Sequence, residues 1–398
     1  MTETPDRPFY LTAPRLITAA GLVHEDAAVL VQGGRIAAVG RADEVPSPPA
    51  ARRLDFPDGT ILPGLIDLHG HLRLNHLEPE PRRQVQDEPT SYLLHAVANL
   101  RASLLAGVTT MRTCGDRDYL DVRLRDALAA GLVEGPRLVV ATRGIKHPDC
   151  PGGIVATWFC RSPDEARQAV GVNVAHGTDW IKFYATGGVF GPWEQADQAC
   201  YGPAEIAALV QAARAHGRPV AVHCNGGPAA RWCIEAGVAT IEHGSTLSDA
   251  DLALMAERGT RLVSTLGVLA HPASTARREA VERFGAAELE RRATAVRDTL
   301  ARAVRAGVRV VVGTDGLHGL PAFELAELVR AGLRPLDAIA AATREAAAVL
   351  GLADELGTVE PGKRADLLVV RGDPLEEIGA LERVAAVIQD GQIHWPRR

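Results

Sequence analysis

Three observations in this 398-residue chain predict an α/β fold: a (β/α)8 TIM-like barrel with a small β-sandwich domain built from both termini. The stretch 61–354 alternates short apolar strands with alanine-rich helical segments, and such alternation favours a parallel barrel over an open sheet. Residues 1–60 and 355–398 are β-rich instead, so the two ends are expected to meet in one small domain. The length suffices for one large barrel plus that domain.

Taken in order, Leu16-Ile17-Thr18, Ala28-Val29-Leu30-Val31 and Arg35-Ile36-Ala37-Ala38-Val39 read as strands, with a hairpin turn at Gln32-Gly33-Gly34. The barrel opens on Ile61-Leu62-Pro63-Gly64-Leu65-Ile66-Asp67-Leu68-His69-Gly70-His71. Further barrel strands are expected at 108–112, 137–141, 180–184, 219–223, 240–243, 261–264 and 308–313. Between them lie amphipathic helices such as 203–216 and 289–306. At the C-terminus, 366–370 reads as a strand, and 384–388 with 392–395 as a hairpin turning at Asp390-Gly391. No short-period repeat or low-complexity tract accompanies this alternation.

Composition narrows the function. A formal net charge of -6 and 23% charged residues give no reason to expect nucleic acid or an anionic membrane as partner. The polar start MTETPDRPFY has no apolar core of a secretory signal, and no apolar run approaches the roughly 20 residues of a membrane span. Cys114, Cys150, Cys160, Cys200, Cys224 and Cys233 form no C-x-x-C pair, so reduced, partly buried thiols in a cytoplasm are expected. A homo-oligomeric assembly is also expected.

Side chains alternate along a strand, so His69 and His71 point the same way and offer two nitrogens to a divalent metal. Gly70 between them is expected to leave room for the ion. Barrel active sites lie at the C-terminal strand ends, and those ends carry His69, His71, Lys182, His223, His243 and Asp315. Singly, each has an ordinary reading: a hydrogen-bonded structural histidine, a snorkelling lysine, a helix-capping aspartate. Six on one rim make metal chemistry the better account. An ammonium at Lys182 would repel a metal, whereas a neutral lysine can add carbon dioxide. The resulting carbamate has two oxygens that can bridge two ions.

With these residues the chain resembles the metal-dependent amidohydrolase superfamily over nearly its full length. The resemblance rests on Pro63-Gly64-Leu65-Ile66-Asp67-Leu68-His69-Gly70-His71, His223, His243, Gly313-Thr314-Asp315 and the closing stretch Leu356–Leu367. Gly107–Arg112 and Ile181-Lys182-x-x-Ala185-Thr186-Gly187-Gly188 look like its imidazolonepropionase-related, prolidase-like (Xaa-Pro dipeptidase-like) branch. The resemblance implies two divalent ions, with zinc expected. His69 and His71 would hold the more buried ion with Asp315, His223 and His243 the other, and carbamylated (N6-carboxy) Lys182 would bridge. Two departures stand out: Thr113-Cys114-Gly115, where the branch often has aspartate and glycine, and the Pro- and Cys-containing loop 144–153.

The reaction so implied is hydrolysis of an amide C–N bond, in a dipeptide or N-acyl amino acid. A metal-bridging hydroxide would attack, and Asp315 would carry its proton to the leaving nitrogen. His147 or Tyr201 is the expected oxyanion donor. Trp158, Phe159, Trp193 and Tyr201 are candidates for an apolar pocket, and Arg143, Arg161 and Arg277 for a substrate carboxylate. The alternative enzyme is a mononuclear deaminase or cyclic amide or amidine hydrolase. Such relatives typically carry Glu or Gln at the third position after the fifth-strand histidine, where this chain has Gly226. A scaffold that had lost its metals would have lost ligands, and all six are present.

Overall fold

A computed structural model describes residues 8–151 and 155–396. Five strands open the chain: β1 (Phe9–Ile17), β2 (Val23–Gln32), β3 (Arg35–Arg41), β4 (Arg52–Asp55) and β5 (Gly59–Pro63). The middle carries β6 (Leu65–Gly70), β7 (Val108–Thr113), β8 (Arg137–Val139), β9 (Gly144–Lys146) and β10 (Ala156–Phe159). It continues with β11 (Ile181–Tyr184), β12 (Val220–Gly226), β13 (Thr240–Thr246), β14 (Arg261–Ser264) and β15 (Val310–Val312). Strands β16 (Leu367–Arg371), β17 (Val384–Gln389) and β18 (Gln392–His394) close the chain.

The two ends do meet. β5 pairs with β1 through Arg15↔Thr60 and with β16 through Pro63↔Leu367 to Gly59↔Arg371. All eight terminal strands therefore form one hydrogen-bonded sheet, ordered β18-β17-β16-β5-β1-β2-β3 with β4 beside β1. Where two facing sheets of a sandwich are expected, the hydrogen bonding gives a single continuous one. Leu11, Val29, Ile61, Val369 and Ile388 share its core, so neither end can bury its apolar face alone.

The middle is α/β with parallel sheets in a TIM-barrel-like layout. β6-β7-β8 form one sheet, and β10-β9-β11-β12-β13-β14-β15 the other. The expected third strand is broken in two. Thr142 adopts a left-handed φ of 53°, so β8 pairs with β7 while β9 pairs with β11. Side chains from β7 and the helix Leu120–Ala129 seize the freed backbone: Ala141 N–H donates to Thr113 Oγ1 (3.1 Å) and Thr142 N–H to Asp121 Oδ2 (2.8 Å). Beyond the ladders, Trp180 N–H reaches Val140 O (3.0 Å) and Asp315 N–H reaches His69 O (2.7 Å).

Helix starts follow ordinary capping chemistry. Ser248 and Asp251 form a capping box, and Ser274 accepts from Arg277 N–H ahead of the helix Thr275–Phe284. No helix among the described residues is long and apolar enough to cross a membrane.

Because β5 lies between β1 and β16, deleting 360–398 strips one side of β5 and uncovers Ile61 and Val29. We expect the truncated chain to partition into the insoluble fraction, measured against full-length protein expressed in parallel.

Candidate active site

Four histidines gather at the C-terminal strand ends, each held by one ring nitrogen. His69, on β6, donates from Nδ1 to Glu242 Oε2 at 2.7 Å. His71, just past β6, donates from Nδ1 to the Gly115 carbonyl at 2.9 Å. His223, on β12, donates from Nε2 to the Gly187 carbonyl at 2.8 Å, and His243 Nδ1 meets Thr265 Oγ1 at 2.7 Å. For His69, His71 and His223 the partner is a carboxylate or carbonyl acceptor, which makes that nitrogen the donor. The Thr265 hydroxyl can serve His243 as donor or acceptor. The second nitrogens face a common space: His69 and His71 Nε2 lie 3.5 and 3.3 Å from Asp315 Oδ1. The rings of His69 and His223 stand 4.9 and 4.5 Å from that of His243.

Backbone conformation contributes too. His243 and Asp315 both adopt positive φ, 71° and 48°, a costly conformation held here by the surrounding structure. The expected role of Gly70 is corrected. A Cβ there would meet Met111 Sδ at 2.5 Å, so its smallness serves close packing on β7 and not room for an ion. Gly313 does lie against the cluster, since a Cβ there would meet His69 Cβ at 2.4 Å.

Beneath the cluster lies a buried ion pair that sequence reasoning missed. Arg112, from β7, donates to Glu242 Oε1 at 2.8 Å, to Leu68 O at 2.7 Å and to Thr240 Oγ1 at 3.1 Å, and stacks on Trp180. Both charged side chains are fully buried. Asp67 was missed as well: it accepts from Thr314 N–H and Oγ1 and from His69 N–H, tying the start of the cluster to its end. The sequence signal was position: Asp67 and Arg112 lie within stretches that carry the family resemblance, and Glu242 directly precedes His243.

Burial and then the Lys182 charge push His69 down to about 4 and His223 to about 3. Burial and then the neighbouring His223 and His69 hold His243 well below the usual histidine range. At neutral pH these three are neutral and able to ligate. His71 differs: burial lowers it, but the Asp315 carboxylate more than reverses the effect. Burial would raise Asp315, yet His69, His71 and His243 hold it well below the carboxylate range. Burial would likewise raise Glu242, and Arg112 with His69 holds it low.

Lys182 Nζ is buried at the centre with no hydrogen-bond partner. An unpaired buried ammonium is costly, so this amine is placed for a group that pairs with it. The imidazoles of His69, His223 and His243, with His71 and the Asp315 carboxylate, fit divalent metal ions. His69, His243 and Asp315 bring ligand atoms within 4.8 Å of one another. A second grouping, His69, Cys114 and Glu242, is no metal site: burial pushes the Cys114 thiol up to about 12, and Glu242 is committed to Arg112 and His69.

The cluster floors a cavity of about 500 Å³, walled by Leu74, Val189, Phe190, Leu266, Leu269 and Val296. Among the described residues, His147 and Tyr201 do not line it. Their rings pack edge to face at 5.6 Å, and the Tyr201 hydroxyl donates to Cys160 O at 3.2 Å. Trp158 lies under Arg143, Trp193 packs beside Arg292 and Phe159 is exposed, so Tyr184 and Phe190 line the cavity instead. Arg161 pairs with Asp149 (2.9 Å) and Arg277 donates to Leu269 O (3.2 Å), leaving Arg283 as the cavity's guanidinium.

The cysteine reading is also corrected: Cys150 and Cys200 form a disulfide across 50 residues, joining the loops after β9 and β11. Spacing could not reveal it, because the pair meets only once parallel neighbours bring those loops together. Cys114, Cys160, Cys224 and Cys233 are free and buried.

The sequence model of the amidohydrolase family matches residues 60–394. This chain belongs to the amidohydrolase family. A bacterial imidazolonepropionase-like composite domain matches residues 27–47. An uncharacterized protein of Mycobacterium tuberculosis is 30% identical over 218 residues, 53% of this chain, and the chain spans about half, 52%, of that relative's length. Ochratoxinase of Aspergillus niger is 27% identical over 78% of this amidohydrolase and 69% of its own length. Among solved structures, a Xaa-Pro dipeptidase with bound methionine gives a TM-score of 0.87 at 29% identity, covering 98% of this chain and 100% of that one. A putative prolidase from Bifidobacterium longum gives 0.83 at 31%, covering 98% and 96%. These place the amidohydrolase in the imidazolonepropionase and prolidase-like branch.

Two predictions follow from the supports of the cluster. Replacing Arg112 by Met leaves Glu242 buried without its cation, so urea unfolding in the presence of a chelator should show a loss of about 3–5 kcal/mol. Glu324 accepts from Ser264 Oγ, Leu266 N–H (2.9 Å) and Gly267 N–H (2.6 Å), fixing the turn that carries Thr265. Burial pushes it up to about 7 from an ordinary 4.5. The folded chain then holds a proton that the unfolded chain releases, so stability falls as pH rises from about 4.5 to 7, by on the order of 3 kcal/mol. Asp116, raised to about 7 mainly by burial, adds a slope of the same sign. Glu324→Gln should remove its share, read from denaturation midpoints across that window.

Proposed function

We propose that the protein hydrolyses an amide C–N bond of a small molecule, most closely a dipeptide or N-acyl amino acid, with two divalent ions of the zinc type. The observation that carries this reading is the set of four histidines, each locked through one nitrogen, around Asp315 and the unpartnered Lys182 amine. Neighbouring structures described as a Xaa-Pro dipeptidase and a putative prolidase support the substrate class.

His69, His71 and Asp315 would hold one ion, His223 and His243 the other, with Lys182 joining them as its carbamate. Bound there, the ions would polarise the scissile carbonyl and lower the pKa of water toward 7. Asp315, kept ionised by the surrounding imidazoles, accepts the proton of the attacking water and passes it to the departing nitrogen. Apolar walls hold the flanking group of the substrate and exclude bulk water.

Metal analysis of purified protein should find about two ions per chain, as set by the ligand count in a two-metal site. A content near one would favour the mononuclear deaminase or cyclic-amide reading. A panel of dipeptides, N-acyl amino acids, lactams and phosphotriesters then identifies the bond cleaved. Asp315→Asn should stay folded and lose roughly 10²-fold or more in turnover, because an amide cannot shuttle the proton. Lys182→Ala should lose metal and turnover together, with partial recovery in added acetate or propionate. Lys182→Arg should stay inactive in the same buffers.

A further inference from the structure

The wall formed by the loop after β6 contains a fifth histidine that no step above uses. Almost everything polar around it is engaged. Asn75 N–H donates to Gln84 Oε1 (2.8 Å), the Asn75 amide to Asn99 Oδ1 (2.8 Å), and Asn99 to Leu72 O (2.9 Å). His318 donates from Nε2 to Leu74 O (3.1 Å) and meets Ser103 at Nδ1 (3.1 Å). The His76 backbone is engaged on both sides: its N–H reaches Gly316 O (2.9 Å), and its carbonyl accepts from Thr275 N–H (2.7 Å) and Oγ1 (3.0 Å).

The His76 imidazole is the exception. It is 5% exposed, lines the cavity, and has a buried Nδ1 without a hydrogen-bond partner; no side-chain hydrogen bond of His76 occurs among the described residues. The contrast with the metal cluster is sharp, because His69, His71, His223 and His243 each spend one nitrogen on the protein. A ring bonded to protein by neither nitrogen is not being oriented as a ligand. Nδ1 is sealed inside the protein, so Nε2 is the nitrogen left, as donor or acceptor according to tautomer, to whatever enters the cavity.

Its position says where that occupant lies. The bond to Gly316 sets His76 beside Asp315, and the bonds from Thr275 set it at the foot of the helix Thr275–Phe284. That helix supplies Ala276, Glu279, Ala280 and Arg283 to the cavity lining. A substrate whose scissile bond sits at the cluster, and whose flanking group extends along this helix, passes His76 between the two.

We propose that His76 is a substrate-binding residue that hydrogen-bonds an uncharged polar group, such as a second carbonyl or amide N–H, next to the scissile bond. The inference rests on the amide-hydrolase reading and narrows it to substrates with such a second group. It predicts that an N-acyl amino acid amide or a longer peptide-like compound is preferred over a simple anilide of the same apolar size.

The test compares zinc-loaded wild type with His76→Phe, which keeps an apolar ring of similar shape and removes both nitrogens. A purely structural imidazole with no protein hydrogen bond would be replaceable at no cost to activity. We expect unchanged metal content, unchanged or higher melting temperature, and kcat/KM lower by roughly tenfold or more, mostly through KM. Turnover within twofold of wild type would overturn the proposal. Wild type that binds metal and cleaves nothing in the panel would instead overturn the hydrolase reading, and this inference with it.

A second measurement stands even if the variant misfolds. Diethyl pyrocarbonate with peptide mapping should modify His76 in the native zinc-loaded protein, while the four cluster histidines stay unmodified. The best-cleaved amide, added at saturating concentration to the inactive Asp315→Asn protein, should protect His76. An unreactive or unprotected His76 would overturn the proposal.

Discussion

The Glu242 carboxylate is the interaction on which the site depends. It lies with no exposure between the Arg112 guanidinium on one side and His69 Nδ1 on the other. A buried carboxylate alone would be too costly to remain ionised, and Arg112 offsets that cost with a close, hydrogen-bonded cation. Ionised Glu242 then accepts a hydrogen bond from His69 Nδ1 and turns the opposite nitrogen toward Asp315. Arg112 is satisfied in turn by Leu68 O, from the same strand that carries His69. Three strands are thus fixed relative to one another by polar contacts whose geometry leaves little tolerance.

The remaining histidines of the cluster are held by the same logic with weaker partners. Backbone carbonyls at Gly115 and Gly187 orient His71 and His223, and Asn225 Nδ2 also reaches Gly187 O at 2.8 Å. Thr265 orients His243 from a turn whose amides end on Glu324. Each histidine is therefore placed by a group from another strand or loop, which is why the site needs the whole α/β middle and not one motif. The left-handed backbone at His243 and Asp315 persists because those neighbours determine it.

The terminal sheet is not a detached appendage of this amidohydrolase. Arg137, on β8, donates to Asp366 (2.9 Å) and Asp390 (2.6 Å), and Gln389 Nε2 reaches Thr109 O (2.7 Å). Gly64 N–H bonds Asp366 O, so the step from β5 into β6 is tied to the strand that pairs with β5. These contacts lie at the N-terminal ends of β7 and β8, opposite the histidine cluster. The sheet braces the base of the barrel, while loops at the other end, including the pair joined by Cys150–Cys200, build the cavity.

Much was legible in the amino-acid order because it depends on local periodicity. Apolar runs alternating with helical segments marked the strands of the middle, and two β-rich ends marked a shared domain, expected as a sandwich and found as one sheet. The strand-end rule then located His69, His71, Lys182, His223, His243 and Asp315 on one rim. What the order left open depends on which residues face each other across the barrel. The Arg112–Glu242 pair joins positions 130 apart, and its contact follows from strand register that neither segment encodes alone. The Cys150–Cys200 bond, the packing role of Gly70, the withdrawal of His147 and Tyr201 from the cavity and the unpaired ring of His76 are of the same kind. Local sequence determined which elements form and which chemistry they can carry. The tertiary fold decided which side chains are paired with protein and which remain free for substrate, because a hydrogen bond is set by distance in space and not along the chain.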